Sequence, residues 1–255
     1  MPLTVLTVPC LTDNYAYLIH DPDSGQTAVV DVPEPGPILA ALSARQWLLS
    51  DILITHHHDD HIQGVDALRA ATGAMVLGAA ADAHRLPRLD LALDESTSFS
   101  VGREFARVID VPGHTLGHIA FLFPDSRLAF TADSLMAGGC GRLFEGSAAQ
   151  MHRSLARLAD LPPDTLICSG HEYTTSNLRF ALTLEPDNPD LVARAQQVAA
   201  LRAQGRPTVP VPLSVELATN PFLRAHLPAL KSAVGLPDAD DAAVFAEIRA
   251  RKDRF

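Results

Sequence analysis

Residues 55–61 read Thr-His-His-His-Asp-Asp-His and follow directly on the apolar run Ile52–Ile54. This order indicates a short buried strand that ends in a group of polar side chains. Side chains alternate between the two faces of an extended segment, so we expect His56 and His58 to point one way and His57 to point the other. The strand end is therefore predicted to present two imidazoles in the same direction.

Two more potential metal ligands, Asp60 and His61, fall where the chain turns into a helix predicted over Ile62–Thr72. Two imidazoles of the motif are able to share one metal, while the carboxylate and a third imidazole serve a second. Histidine nitrogen and carboxylate oxygen suit zinc, iron or manganese. The H-x-H-x-D-H spacing is far more specific than a lone H-x-H, and its internal position argues against a tag remnant.

Three later segments each place one further ligand-type residue at the end of a strand-like run. These residues are His114, Asp133 and His171. Each alone is weak evidence, because a single polar residue after a strand more often caps or turns the chain. Together with the histidine motif they supply seven ligands, which are enough for two metals. Ligands so far apart in sequence cannot form a local finger, so the sheet core must fold to gather them.

The composition restricts the class of protein. The chain has 255 residues, of which 47% are hydrophobic and 20% charged, and its net charge is −10. Such a composition excludes wholesale disorder, and the acidic excess disfavours nucleic acid or an anionic membrane as the main partner. Cys10, Cys140 and Cys168 are widely spaced, which argues against a disulfide framework. With neither a membrane-spanning run nor a secretory signal, we expect a cytoplasmic protein.

Strand and helix patterns alternate up to about residue 172, and helical periodicity dominates after it. We therefore predict an α/β region over residues 1–172 and a small helical domain over residues 173–255. Strands over Leu3–Val8 and Tyr15–Ile19 are predicted to form a hairpin. Further strands are predicted over Thr27–Val32, Asp51–Thr55, Ala74–Leu77, Glu104–Val111, Ile119–Phe123, Leu128–Thr131 and Thr165–Ser169. Further helices are predicted over Ile38–Leu48, Gln150–Leu161, Tyr173–Leu184, Pro189–Gln204 and Asp238–Lys252.

The order H-x-H-x-D-H, P-G-H-T, T-A-D and a later G-H resembles the metallo-β-lactamase superfamily. Within that superfamily, the chain is most similar to the glyoxalase II, or hydroxyacylglutathione hydrolase, family. The marks of this second resemblance extend over nearly the whole chain. They are Asp13-Asn14-Tyr15, Gly138–Arg142, Phe144–Gly146, Gly170–Thr174, Thr219–Arg224, Arg249 and Lys252-Asp253.

The resemblance implies an α/β fold, the four-layer αββα sandwich, in which two mixed sheets pack face to face with helices outside and a small helical domain follows. It also implies which residues bind metal. The ligands would be His56, His58 and His114 for the first metal, Asp60, His61 and His171 for the second, and Asp133 as a bridge between both.

The same resemblance implies hydrolysis of S-(2-hydroxyacyl)glutathione, typically S-D-lactoylglutathione, to glutathione and D-lactate in methylglyoxal detoxification. Two divalent cations would hold a bridging hydroxide as the nucleophile, so no serine or cysteine is needed. Zinc is our first choice, with iron or manganese as alternatives. Asp133 and Asp60 would be the catalytic carboxylates, with Asp60 serving either as a ligand alone or as a ligand that also orients or deprotonates the water. We expect a monomer.

Glutathione carries two carboxylates, so its site needs local positive charge. By resemblance, the substrate-binding residues are Arg142, Tyr173, Arg249 and Lys252. Arg249 and Lys252 are three residues apart and so share one helical face, although basic residues in a last helical turn also favour the helix dipole. The chain departs from the family where Arg142 replaces the usual lysine and Phe144 the usual tyrosine.

Four other functions compete with this prediction. A lactonase-like hydrolase of the same superfamily would share the metals but not the pair Arg249 and Lys252. A mononuclear iron persulfide dioxygenase would leave the second-metal positions unused. A nuclease is disfavoured by the net charge of −10. A metal-free binding module would have to bury carboxylates and imidazoles without compensation, which is costly.

Overall fold

The structure, a computed structural model, describes residues 1–255, which divide into two units. The first unit comprises residues 1–111 and 117–132, and the second comprises residues 112–116 and 133–255. The strands of the first unit are β1 (Thr4–Cys10), β2 (Asn14–His20), β3 (Gln26–Val30), β4 (Leu48–Ile54), β5 (Met75–Ala79), β6 (Leu91–Leu93), β7 (Phe99–Val101), β8 (Glu104–Asp110), β9 (Ile119–Phe123) and β10 (Leu128–Ala132). Its helices are α1 (Pro35–Arg45), α2 (Asp59–Ile62) and α3 (Val65–Thr72).

Two sets of paired strands build the first unit. Strands β1 to β6 form a mixed sheet in sequence order, antiparallel from β1 to β3 and parallel from β3 to β6. Strands β7 to β10 pair antiparallel. Tyr17 of β2 meets Phe130 of β10 edge to face at 5.5 Å. Aromatic side chains therefore fill the space between the two sets of strands, which suits their large apolar area.

The outer face of the mixed sheet is covered by α1 and α3. Ile38 and Leu42 of α1 and Leu68 of α3 pack with Ile52 and Ile54 of β4 in one buried cluster. The last three residues of β4, Ile52–Ile54, are fully buried and apolar, as expected where a parallel strand is covered on both faces. The chain leaves this buried strand at Ile54, so the polar segment that follows begins from a rigid base.

The second unit contains six helices and four short strands. Its strands are β11 (Leu135–Met136), β12 (Gly139–Cys140), β13 (Leu166–Ser169) and β14 (Val211–Pro212). Its helices are α4 (Ala148–Ala159), α5 (Thr174–Leu184), α6 (Pro189–Ala203), α7 (Leu213–Thr219), α8 (Pro228–Ala233) and α9 (Asp241–Arg254). Helix α4 begins with a capping box between Ser147 and Gln150, and the Asn188 side chain caps α6.

Most predicted elements are confirmed within a few residues, including the hairpin of β1 and β2. The helix predicted over Ile38–Leu48 was wrong at its end, because Gln46 adopts a left-handed conformation and Leu48 already begins β4. The helix predicted over Ile62–Thr72 is interrupted near Gly64, where the chain changes from α2 to α3. The strands β6, β7, β11, β12 and β14 were missed because two or three residues show no periodicity.

The predicted boundary between residues 172 and 173 stays a prediction. None of the nine α-helices combines the length and the hydropathy needed to cross a bilayer.

Candidate metal centre

The histidine motif begins where β4 ends. Residues 55–58 have no regular secondary structure, and α2 starts at Asp59 with His58 as an extended cap residue. This turn places His56 and His61 in the interior, where both side chains are fully buried. The rings of His56 and His61 lie 4.2 Å apart, and those of His56 and His58 lie 4.8 Å apart. Three of the predicted ligands are therefore close together within the first unit.

The Asp31 carboxylate orients these imidazoles through hydrogen bonds. Its carboxylate accepts hydrogen bonds from the Thr55 backbone N–H at 2.9 Å and from the Thr55 hydroxyl at 2.8 Å. The same carboxylate lies 2.8 Å from His61 Nδ1. Because a carboxylate only accepts, His61 Nδ1 carries the proton and Nε2 keeps its lone pair.

The Thr55 hydroxyl links the Asp31 carboxylate to His56 through two hydrogen bonds. Its single proton is donated to Asp31, so it accepts from His56 Nδ1, which lies 3.0 Å away. His56 therefore also keeps its lone pair on Nε2. The ring of His118 stacks on His56 at 4.6 Å and holds it from the side. His57 is engaged elsewhere, with Nδ1 2.9 Å from Asp82 Oδ2.

The remaining ligand of the motif, Asp60, is held by Asn14. The side-chain amide of Asn14 donates to Asp60 Oδ2 at 3.0 Å and to the Asp60 carbonyl at 3.0 Å. Asp60 Oδ2 lies 3.8 Å from His61 Nε2. Asn14, the central residue of the Asp13-Asn14-Tyr15 motif, therefore orients one carboxylate of the histidine motif.

The second unit assembles His114, Asp133 and His171 from three separate segments. All three side chains are buried. A single carboxylate oxygen, Asp133 Oδ2, lies 3.5 Å from His114 Nε2 and 3.3 Å from His171 Nε2. His114 Nδ1 lies 2.7 Å from the Arg142 carbonyl oxygen, which only accepts. His114 therefore carries a proton on Nδ1.

This arrangement fits a metal cation. With Nδ1 protonated, a neutral His114 presents an Nε2 lone pair to Asp133 Oδ2, which is itself an acceptor. Two acceptors that face each other in a buried site repel unless a proton or a cation lies between them. Imidazole nitrogen and carboxylate oxygen are the donor set of zinc, iron and manganese sites, and a ligand imidazole usually donates its other N–H to a carbonyl or carboxylate.

The predicted substrate residues lie in the second unit, three of them near α9. The buried guanidinium of Arg249 donates to the Cys140 carbonyl at 2.8 Å and to Asp253 Oδ1 at 2.9 Å. Arg142 Nε lies 3.5 Å from the same Asp253 oxygen. Lys252 is half-buried over the ring of Phe180. Two guanidinium groups therefore share one carboxylate, and with the Lys252 ammonium on the same helix as Arg249 they leave local positive charge in a protein whose net charge is −10.

Burial lowers the pKa of the Lys252 ammonium, and the nearby guanidinium of Arg249 lowers it further. Tyr173 is partly exposed, and its ring stacks on the ligand candidate His171 at 4.6 Å.

Burial raises the pKa of the Cys140 thiol to about 11 and also raises that of Cys168. Neither cysteine is therefore a thiolate nucleophile near neutral pH.

Several residues that support the site were missed by sequence reasoning. Asp31 directly follows the strand β3, a signal that was available but is shared by many capping residues. Asn14 stood in a motif noted only for its resemblance. Asp82, which engages His57, lies in a short 3₁₀ helix with no distinguishing pattern. Their roles depend on contacts between residues far apart in sequence.

Two family models cover the chain from residue 12 to its end. Residues 12–171 match the metallo-beta-lactamase superfamily, and residues 172–255 match the hydroxyacylglutathione hydrolase C-terminus.

Curated relatives match at full length. A hydroxyacylglutathione hydrolase of Cereibacter sphaeroides is 67% identical over 255 residues, and one of Fuscovulum blasticum is 65% identical, each alignment covering 100% of both chains. One of Ruegeria pomeroyi is 59% identical over the same 100% coverage.

Solved structures share the fold. The BLEG-1 B3 metallo-beta-lactamase superposes with a TM-score of 0.67 at 20% identity, covering 86% of this chain and 99% of its own. TTHA1623, solved in a di-iron-bound form, superposes with a TM-score of 0.56 at 28% identity, covering 66% of this chain and 91% of its own. These matches confirm the predicted metallo-β-lactamase fold of two mixed sheets and helices with a C-terminal helical domain.

Proposed function

The chain belongs to the hydroxyacylglutathione hydrolase family, and we propose from this membership that its seven predicted ligands hold two divalent cations in one catalytic centre. The enzyme is a metal-dependent hydrolase of hydroxyacylglutathione thioesters. The observation that carries the metal assignment is the position of Asp133 Oδ2, within 3.5 Å of His114 Nε2 and 3.3 Å of His171 Nε2.

We assign the ligands to two cations as the sequence predicts. Neither unit has the full set by itself, since the first supplies four candidates and the second supplies three. The first cation takes His56, His58 and His114, the second takes Asp60, His61 and His171, and Asp133 serves both. We favour zinc over iron or manganese.

When bound, the cations supply Lewis acidity and lower the pKa of water, which makes a nucleophile available at neutral pH. The protein supplies orientation. Asp31 and Thr55 keep the protons of His61 and His56 on Nδ1, so that both Nε2 atoms accept. Asn14 restrains the Asp60 carboxylate, which we propose orients or deprotonates the attacking water.

The substrate is held, in our proposal, by the positive group around α9. Arg142, Arg249 and Lys252 attract the carboxylates of glutathione, and the partly exposed Tyr173 hydroxyl donates a hydrogen bond. Arg142 in place of lysine keeps the charge and adds a planar pair of donors, which favours a carboxylate ligand.

The test combines metal analysis with turnover. We expect the full-length protein to hold two equivalents of metal and to cleave S-D-lactoylglutathione, followed by loss of the thioester absorbance. His171→Ala should lose one equivalent and most turnover. The matched control is His152→Ala. His152 lies in the same unit but is not a predicted ligand, and its ring packs against the Phe245 ring. Full metal content with no thioester cleavage, but turnover of a lactone or persulfide, would overturn the proposal.

A further inference from the structure

The segment Met136–Arg142 is held at almost every peptide by side chains of the second unit. It contains the hairpin of β11 and β12 and the glycine-rich motif Gly138–Arg142, which is one of the family's motifs. Its hydrogen-bond partners come from α5, α7, the turn after α7, and α9. Asn220 donates to the Met136 and Gly139 carbonyls, Asn177 donates to the Ala137 carbonyl, and Arg249 donates to the Cys140 carbonyl. Glu216 accepts a hydrogen bond from the Gly138 N–H.

Asn220 lies at the centre of this arrangement and is fully buried. Its side-chain amide donates to the Gly139 carbonyl at 2.9 Å and to the Met136 carbonyl at 3.1 Å, so it joins the two strands of the hairpin. The same amide lies 3.0 Å from Glu216 Oε2, which accepts the Gly138 N–H at 2.8 Å. Arg194 pairs with the other oxygen of Glu216.

The hairpin leads directly to the candidate ligand His114. The Arg142 carbonyl, two residues beyond β12, accepts the proton of His114 Nδ1 at 2.7 Å. Gly141 lies so close that a β-carbon there would come within 2.9 Å of His114 Nδ1 and 2.0 Å of the Asp133 carbonyl. A small shift of the segment would therefore move the acceptor that orients His114.

We propose that Asn220 and Glu216 are positioning residues for His114, acting through the backbone of Met136–Arg142. They hold the hairpin, the hairpin fixes the Arg142 carbonyl, and that carbonyl keeps the proton of His114 on Nδ1 and its lone pair on Nε2. This inference rests on the proposed function, because it gives the Nε2 lone pair a metal to bind.

A purely structural role would make a different prediction. Buried hydrogen bonds stabilise a fold wherever they occur, and losing one leaves a partner unsatisfied. The ion pair of Arg224 and Glu185 is a suitable comparison, because it is largely buried in the same unit, with N–O distances of 2.7 and 3.0 Å. Neither side chain forms a hydrogen bond or an ion pair with residues 136–142. Removing the pair of Arg224 and Glu185 should destabilise the protein without changing His114.

The experiment compares Asn220→Ala with the control Arg224→Met in the full chain. Zinc affinity is measured by chelator competition, and the protonated nitrogen of His114 is identified from long-range proton–nitrogen NMR spectra of the metal-free protein. We expect Asn220→Ala to weaken one zinc site by about 10- to 100-fold, the usual effect of losing a partner that orients a ligand. The His114 Nδ1–H signal should also disappear. Arg224→Met should change neither quantity.

A milder variant, Asn177→Ala, removes only the bond to Ala137 and carries the test if Asn220→Ala does not fold. It should shift zinc affinity in the same direction by a smaller factor. The proposal is overturned if the asparagine variants lose stability as Arg224→Met does but keep the wild-type zinc affinity and His114 signal. If the wild-type protein binds no zinc, iron or manganese, the proposed metal centre fails, and the His114 signal still decides whether Asn220 positions this ring.

Discussion

The two sets of ligand candidates are built in different ways. In the first unit, four candidates come from a single stretch, His56–His61, and their partners are close neighbours on the same sheet. In the second unit, His114, Asp133 and His171 come from segments up to 57 positions apart by their numbers. The first set is therefore oriented by the end of one strand, and the second by packing among helices and loops.

The partners differ accordingly. Asp31 and Thr55 form a short polar chain that determines the protonated nitrogen of His61 and His56. His114 depends instead on a backbone carbonyl whose position is set by Asn220 and neighbouring side chains. The comparison indicates that the first set is sensitive to one carboxylate, whereas the second is sensitive to the path of a loop.

The largest effect is expected at Asp133, the only carboxylate of the second set. Asp133→Ala should lose metal and turnover together, with kcat falling by about 100- to 1000-fold, as for other losses of electrostatic stabilisation. Metal analysis and thioester hydrolysis check this. The isosteric Asp133→Asn variant removes the charge of the carboxylate but keeps the shape of the side chain. If Asp133→Ala kept two metals and full activity, the bridging assignment would be wrong.

A smaller effect is expected from Asp31→Asn in the first set. The amide presents an N–H as well as an oxygen, so His61 is no longer forced to keep its proton on Nδ1. We expect metal affinity to fall by about 10- to 100-fold, measured by chelator competition. Asp51→Asn is the control, because Asp51 is another buried carboxyl of this sheet and its side chain accepts a hydrogen bond from the adjacent Ser50 hydroxyl, not from a histidine. Equal losses in the two variants would contradict a specific role for Asp31.

A substrate residue of the second unit should affect KM and leave metal content unchanged. Lys252→Met is expected to raise KM for the glutathione thioester about 5-fold, the upper range for a partly exposed ion pair. Burial lowers the pKa of Lys252, so the ammonium is present at low pH and is lost, as pH rises, earlier than for an ordinary lysine. Wild-type KM should therefore rise at alkaline pH.

Lys252→Arg provides the control for this pH dependence, because arginine stays charged throughout that range. Its KM should be flat where the wild-type KM rises. The same alkaline rise in both proteins would show that another group is responsible.

The smallest effect is expected from Phe144→Tyr. The Phe144 ring meets His114 edge to face at 5.3 Å, and the side chain is exposed. Adding the hydroxyl usual in the family should lower KM by about 2-fold, equivalent to one exposed hydrogen bond of ~0.5 kcal/mol. Steady-state kinetics measure this, and an unchanged KM would mean that the hydroxyl does not reach the substrate.

Much of the architecture was predictable because it depends on local pattern. Apolar runs predicted β2, β4 and β9, and 3.6-residue periodicity predicted α5 and α6. The spacing of the histidine motif predicted a metal site because few other arrangements need four such side chains in six residues. The short strands and the end of α1 were not predictable, since two or three residues, or one left-handed Gln46, leave little signal.

The sequence by itself determined the chemical inventory: seven candidate ligands, the basic residues of the last helix, and the motifs that identify the family. Only the tertiary structure decided which ring nitrogen of His56, His61 and His114 is protonated. It also showed that Asp31, Thr55 and the Arg142 carbonyl decide this, and that Asn220 holds the glycine-rich segment. The physical reason is that a residue type follows from the chain alone, whereas a hydrogen bond needs a donor and an acceptor within about 3 Å, and distant segments meet only after folding.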